Sequence, residues 1–581
     1  MARIAIITNE NKLVERKTSF FADYFGFYAE KVGRFYETEP ENPLSLTEKI
    51  IFQLTSNPHI KKGNYVHNYF EHHYFREDTF LKQFKKYPAV KAEILVFKAI
   101  VGRNENDLHT KRGKWLQNNT TLLPALEELK KELDESMIRR AFDELVVFLL
   151  CNHPLETHQE SIIYITQVLV SEAYFKGRSK SQILNVFFRL LSKDIEKFPF
   201  SKDLVTDQQK REYLQQRDFK KQFEGIVNFI NEPPTRRFLI LKASGLSMEK
   251  DYDFSYNVVR FLGVDHTQLE TIKKKMWALD KENAAFFFEP SNHMLAVMPV
   301  DSFEDELIIS QFLKPFRDAA AFLGLSMDRN VVINAESYMI TSDFDEVYWK
   351  LAIPREAGKR DTNQLSDTPY IFLNNYVGPS TTHILRQEAT IITAFKNDDI
   401  EGYWKYFENL FAGKGAKTII ETIATILLLN EKSERNHNVT DYLFGSTLPW
   451  NFDYKRFGMT PSQFISIRNK LGDKKTIYFL NNFDYPFFQE LKKIHGKKHT
   501  KKRFQKMYDY YHSLLLELYE SRNSVTHSNL LHPKAHIKLE LTIPRIVSRL
   551  RWLIFKYIRK NQNLPFESLT ELIVRDAEKL L

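Results

Sequence analysis

Apolar residues recur at helical spacing through most of the first 230 positions, around Val90 to Val101, Met137 to Leu150 and Ser161 to Leu191, and few glycines interrupt them. The texture changes at Asn231-Glu232-Pro233-Pro234, because paired prolines stop a helix and the apolar runs that follow are short. Phe238-Leu239-Ile240-Leu241, Ala285-Phe286-Phe287-Phe288, His293 to Met298 and Asn330-Val331-Val332-Ile333 read as strands, with Pro290-Ser291-Asn292 as a turn between two of them. A polar, aperiodic stretch between Pro354 and Pro369 marks a second boundary. Helical spacing then returns in Ile384 to Phe395, Ile400 to Phe411, Lys417 to Leu429, Phe504 to Tyr519 and Ile543 to Tyr557, segments able to pack as a bundle. The pattern predicts a mainly α, multidomain chain: a helical N-terminal region over 1–230, an α+β module over 231–360 and an all-α helical bundle over 370–581.

Length and composition agree with this division. The chain has 581 residues, too many for one ordinary core, and 43% of them are apolar, as in a folded protein. Its single cysteine, Cys151, excludes an internal disulfide framework. The opening residues MARIAIITNENKLVERK turn charged too early for a signal peptide, and runs such as Ile419 to Leu429 reach about half the length that spans a bilayer. The expectation is a cytoplasmic protein without a membrane anchor.

The formal charge of +9 is concentrated in one region. Leu491 to Lys560 carries 17 Lys or Arg against 4 Asp or Glu, so this segment holds +13 and the remainder of the chain −4. Within it, Lys492, Lys493, Lys497, Lys498, Lys501, Lys502, Arg503 and Lys506 form a run free of acidic residues. Such a run suits a polyanion, and RNA is the partner it suggests, with Lys497, Lys498, Lys501, Lys502, Arg503 and Lys506 as the contact candidates. A solvated loop and helix face would look the same.

Just beyond that run stands Tyr519-Glu520-Ser521-Arg522-Asn523-Ser524-Val525-Thr526-His527. Cleaving RNA needs a proton carrier near neutral pH and a fixed cation beside the phosphate, which His and Arg supply. Tyr511, Leu514, Leu515 and Leu518 share one helical face, and Arg522 extends it by a turn, so its guanidinium points toward packed structure and needs an anionic partner. In an unbroken helix His527 lies about 140° around from Arg522. Either the helix breaks between them or two chains each contribute one residue. Arg103-Asn104 followed by His109 repeats the spacing, but the glycine before Arg103 and the polar residues after it read as a hydrated turn.

A terminal helical bundle with Arg522-Asn523-x3-His527 at the end of an apolar helix resembles the HEPN superfamily, and is most similar to its Apea-like members. The resemblance covers about the last 200 residues. It implies a homodimerising, HEPN-like bundle with a metal-independent endoribonuclease site, no cofactor, and a role in bacterial anti-phage defence or toxin systems. It also implies transfer RNA as a substrate class, a phage-derived trigger, and Arg522, Asn523 and His527 as catalytic residues. The alternatives are a non-catalytic RNA-binding or dimerising regulatory protein, and a helix terminus in which Arg522 merely pairs with an acidic neighbour.

Other motifs carry less. Gly413-Lys414-Gly415-Ala416-Lys417-Thr418 lacks the first glycine and the preceding strand of a phosphate loop. Cys151, His153 and His158 lack a fourth metal ligand, and Thr157 to Glu160 reads as a capping box opening the next helix. His67, Glu71, His72 and His73 sit in an aromatic-rich stretch. No metal site is expected.

Overall fold

In the computed structural model the described residues are 12–33, 39–56, 108–186 apart from 181 and 185, 205–246 apart from 217 and 218, 253–289, 293–302, 308–327, 330–351 with short breaks, parts of 378–391, 400–444, 489–490, 501–528 and 533–581. They are mostly helical, with one small antiparallel sheet in the middle of the chain. The expected helix over Val90 to Val101 lies outside them, as does the Pro290 to Asn292 turn. The chain divides into two compact units, one made of Met1–Asn231 together with Pro369–Leu581, the other of Glu232–Thr368. The helical stretches at the two ends of the sequence thus share one unit.

That unit begins with α1 (Lys12–Lys31), α2 (Pro43–Ser56), α3 (Leu108–Leu150), α4 (Leu155–Phe175), α5 (Asp207–Gln216) and α6 (Phe219–Asn231). Helix α1 buries Phe20, Phe21, Tyr24, Phe25, Phe27 and Tyr28 over one broad face of about 160° and Ala22, Gly26 and Glu30 on the opposite side, so this part of it is enclosed and not half-exposed. Helix α4 starts at Leu155 with Pro154 as its N-cap and no side-chain cap, one turn earlier than the capping box expected at Thr157. Proline's fixed φ and missing N–H make it harmless at that position. The periodic run to Leu191 is cut at Phe175, because Gly177 takes a left-handed φ of 88° and its N–H closes onto the Tyr174 carbonyl.

The Glu232–Thr368 unit is a three-layer module. It holds β1 (Thr235–Ser244), β2 (Asp253–Tyr256), β3 (Val259–Leu262), α7 (Glu270–Leu279), α8 (Lys281–Phe288), β4 (His293–Ser302), α9 (Ile308–Met327), β5 (Val332–Thr341) and β6 (Val347–Leu351). The sheet order is β2-β3-β4-β1-β5-β6, antiparallel throughout, with Leu239 facing Met298 on β4 and Ile340 on β5. Leu239, Leu241 and Ala243 pack with Phe316 and Ala320 of α9, while Ile240 packs with Ile272, Met276 and Phe287 of α7 and α8. Burial on both faces explains the unbroken apolar run that made β1 readable. Ala285 to Phe288, expected as a strand, is instead the end of helix α8. Asp280 caps that helix, its carboxylate accepting from the N–H groups of Glu282 and Asn283. Two basic side chains close the other end: Lys242 donates to the Phe286 carbonyl at 2.8 Å, and the buried His293 ring lies 2.8 Å from the Phe287 carbonyl.

The chain returns to the first unit with α10 (Ile400–Leu410), α11 (Ala416–Phe444), α12 (Lys501–Ser528), α13 (Pro533–Lys560) and α14 (Phe566–Glu578). They share a core that includes Trp404, Phe407, Ile423, Leu514, Val547 and Ile573. Helix α13 carries a second, polar stripe. Lys534, Lys538, Arg545 and Arg549 fall within about 60° of one another around its axis. The stripe faces inward. Lys534 Nζ is 2.8 Å from Glu48, and Lys538 Nζ lies 2.6, 2.9 and 3.2 Å from Glu39, Glu41 and Glu517. Arg545 donates to the Val32 carbonyl and Arg549 to the Tyr511 hydroxyl. Gly33 sits under this helix at φ 67°, where a Cβ would meet the Thr542 side chain at 2.9 Å.

Burial pushes the Lys538 ammonium toward neutrality, but Glu39, Glu41 and Glu517 outweigh it and hold its pKa well above the usual lysine range. Burial raises the Glu172 carboxyl against the opposing pull of Lys534 and the amide of Asn42. Replacing Lys538 with Met strands three carboxylates, so Lys538→Met is expected to cost about 3–5 kcal/mol. The exposed Lys501→Ala is expected to stay within about 0.5 kcal/mol. Urea unfolding of the two variants beside wild type measures both.

The sheet module has its own pH signature. Burial lowers the His293 pKa below its usual 6.5, the Phe287 carbonyl opposes this, and Lys242 adds to the lowering. The unfolded chain therefore binds the proton more tightly. The contribution is complete above the unfolded pKa and is lost as pH falls through about 6.5 toward the lower folded value. The melting-temperature advantage of wild type over His293→Gln is expected to shrink between pH 7.5 and pH 5.

Candidate functional site

Helix α12 positions the Arg522 motif. Tyr511, Leu514, Leu515 and Leu518 are buried along one face, Ser521 follows at 7% exposed, and Arg522 emerges at the rim with 32% of its side chain accessible. Helical spacing places Arg522 on this face, but its side chain is partly accessible where an enclosed one was expected. The guanidinium already has anionic company. One Nη donates to Asn523 Oδ1 at 3.0 Å, and the other stands 3.9 Å from Glu408 Oε2 on α10. Glu408 is itself oriented, because its other oxygen accepts the indole N–H of Trp404 at 2.7 Å. Trp404 is fully buried, and its ring packs 4.9 Å from Tyr519, three residues before Arg522.

The magnitude of the Arg522–Glu408 contact decides what it can be. Both side chains keep a third or more of their surface accessible, and pairs of this kind contribute roughly 0–1 kcal/mol. Glu408 therefore marks an anion-accepting position at Arg522 without sealing it. A phosphate oxygen offers the same guanidinium a stronger, charge-assisted pairing.

Helix α12 runs without interruption through Ser528. A break between Arg522 and His527 is thus ruled out, and the two positions stay about 140° apart around the axis. The His527 side chain lies outside the described residues, so α12 places its backbone alone.

The basic run distributes differently from expectation. Lys497 and Lys498 lie outside the described residues, while Lys501, Lys502 and Lys506 are exposed at the start of α12. Arg503 is only 8% exposed and sits in the line of Phe504 and Met507, so it faces packed structure and not a polyanion in solvent. At 1.5 Å per residue, Lys506 stands about 24 Å along the helix from Arg522. The lysines therefore do not border the motif.

Elsewhere, Lys17 reaches into the α3–α4 turn as a fully buried side chain, donating to the Cys151 carbonyl with its Nζ 3.4 Å from the thiol sulfur. His158 stacks on Phe148, and burial, then His153 and Lys17, lower its pKa. A cation in this position accounts for the local chemistry. Of the Gly413 to Thr418 stretch, Gly413 to Gly415 lie in the tight turn between α10 and α11, with Gly413 at φ 84°, and Ala416 to Thr418 open α11. Arg103, His67, Glu71, His72 and His73 lie outside the described residues, and among the described residues no cluster of His, Cys, Asp or Glu is arranged to hold a metal ion. Among them no helix is long and apolar enough to cross a membrane.

Sequence reasoning found Arg522 and Asn523 but missed Glu408 and Trp404, whose i, i+4 spacing on an amphipathic helix was legible while their partner 114 positions away was not. Glu408→Gln keeps the acceptor for Trp404 and removes only the charge, so its effect on stability is expected below about 1 kcal/mol. Trp404→Ala empties a buried site and is expected to cost about 3–5 kcal/mol. Thermal unfolding of the pair separates an exchangeable rim contact from a structural one. No protein-family model, curated protein or solved structure matches this chain.

Proposed function

We propose that the chain is a metal-independent endoribonuclease of the HEPN type, with Arg522, Asn523 and His527 as its working residues. The observation that carries this reading is the state of Arg522. It is a guanidinium about one-third accessible at the rim of a packed helical bundle, with Asn523 bonded to it and a weakly held carboxylate where a phosphate would sit.

The chemistry follows from the side chains. A ribose 2′-hydroxyl attacks the adjacent 3′-phosphate as its proton leaves, negative charge grows on the phosphoryl oxygens, and the departing 5′-oxygen takes up a proton. Arg522 holds the phosphate by charge-assisted hydrogen bonds, and Asn523 keeps the guanidinium in place. His527 carries the proton, because an imidazole can both take up and release one near neutral pH. The products are a 2′,3′-cyclic phosphate and a 5′-hydroxyl end. Because α12 is unbroken, Arg522 and His527 of one chain do not converge on a single phosphate, and the complete site combines Arg522 of one copy with His527 of another across a two-fold interface.

The Arg522–Glu408 pair also favours a second reading, in which the same bundle binds RNA or dimerises without cutting and Arg522 serves only as an ion-pair partner. One assay separates them. Wild type incubated with total bacterial RNA in EDTA is expected to release cyclic-phosphate ends, whereas Arg522→Ala and His527→Ala alone are expected to lose at least about 100-fold of the rate. Mixing the two inactive variants regenerates one intact site per mixed dimer and is expected to restore part of the activity. Cleavage that survives Arg522→Ala would sink the assignment, and dead mixtures would place both residues of a site in one chain.

A further inference from the structure

Helices α12 and α13 bring two separate stretches of positive charge to one end of the helix pair. Tyr511 of α12 bonds Arg549 of α13, and Glu517 of α12 pairs with Lys538 of α13, so the helices run antiparallel with a definite register. Extending that register places the beginning of α12, with exposed Lys501, Lys502 and Lys506, level with the end of α13, where Trp552, Lys556 and Lys560 are exposed. In α13 no acidic residue follows Glu540. On the neighbouring α14, Asp576 is engaged by the Tyr557 hydroxyl at 3.0 Å and by Lys579 at 2.7 Å, which reduces its pull on these cations.

Trp552 sharpens the pattern. It keeps 41% of its surface accessible, unusual for the largest apolar side chain, and Lys556 Nζ lies 4.9 Å from its ring centre. An accessible aromatic face beside the Lys556 ammonium, at the helix end that carries the other exposed lysines, matches the two demands of a single-stranded nucleic acid, stacking for a base and cations for the backbone. Arg545, Arg549, Lys534 and Lys538, by contrast, are turned inward to protein partners. The cations left at this end are the ones available to a ligand.

We propose that the paired ends of α12 and α13, centred on Trp552 and the lysines 501, 502, 506, 556 and 560, form an RNA-binding surface set about 24–31 Å along α12 from Arg522. This inference rests on the ribonuclease reading for the identity of its ligand, but not on catalysis. It assigns the basic run a role as a distant hold on the strand, not as the wall of the cleavage site. An RNA long enough to engage both ends is gripped at two points, and one that reaches only Arg522 is held weakly.

The test uses the full chain and a 2′-O-methyl 15-nucleotide strand, which binds but lacks the attacking hydroxyl. At about 0.15 M salt the triple variant Lys501→Ala/Lys502→Ala/Lys506→Ala is expected to bind about tenfold more weakly, and its salt dependence to flatten by two to three phosphate contacts. Trp552→Ala is expected to lose about fivefold or more while Trp552→Phe retains most of the affinity. Melting temperatures check that each variant is folded. Unchanged affinity and salt slope in both the lysine and the Trp552→Ala variants overturn the proposal. So does loss of a dimer on Trp552→Ala with RNA binding intact, which assigns this end to a second copy of the chain. Weakened binding in a protein that cuts no RNA supports the surface and rejects the nuclease, whereas normal cleavage with unaltered binding does the reverse.

Discussion

Lys538 is the residue on which the first structural unit turns. Its ammonium is buried among Glu39 and Glu41 from the segment before α2 and Glu517 from α12. Groups some 500 positions apart in sequence thus meet at one charge. Removing these ions from water is costly, and a single buried pair often contributes little net stability compared with an apolar replacement. What the cluster supplies is specificity. An apolar face tolerates a slipped or rotated neighbour, but three buried carboxylates accept only an arrangement that delivers a cation to all of them. The neighbouring contacts repeat the device on the same side of α13: Lys534 meets Glu48, Arg545 meets the Val32 carbonyl, and Gly33 lets the backbone approach where a side chain would clash.

That constraint reinterprets the charge of the C-terminal region. A surplus of +13 over seventy residues reads as a polyanion-binding segment, and part of it is nothing of the kind. Lys534, Lys538, Arg545 and Arg549 are structural cations answered by protein acceptors, and Arg503 is packed against the bundle. The net charge of a segment fixes its long-range field, whereas burial decides which of its charges a ligand meets at close range. Here the outward cations gather at one end and the Arg522 motif emerges at the other.

How much of this was legible in the chain depends on the range of the forces involved. Helical periodicity located α10 through α13, though it stopped short of the ends of α11, α12 and α13, and the FLIL run located β1, because these signals are local and repeat. The same logic failed at Ala285 to Phe288, where four apolar residues suit a strand or the end of a buried helix, and Asp280 five residues earlier decides for the helix. At Thr157 the capping-box pattern was genuine chemistry outbid by a proline already in place at the helix start. The Arg522 face was readable from Tyr511, Leu514, Leu515 and Leu518. Glu408 and the partners of Lys538 were not, because pairing between remote segments leaves no spacing in a single sequence.

The unbroken α12 has the most far-reaching consequence for the motif. A loop carrying Arg522 and His527 could fold both side chains onto one phosphate, and the site would then be complete within one chain. A continuous helix denies that route, since five residues advance about 7.5 Å and turn about 140°. With Arg522 and His527 as the proposed working residues, a helix that carries them about 140° apart is better suited to serve two sites than one. For the proposed nuclease, a two-fold interface along α12 would answer this geometry, because each copy would then offer its arginine to one site and its histidine to the other. In the proposed nuclease, catalysis on this plan would depend on association, and Glu408, which stands 3.9 Å from Arg522, marks the place where the guanidinium would take a phosphate instead.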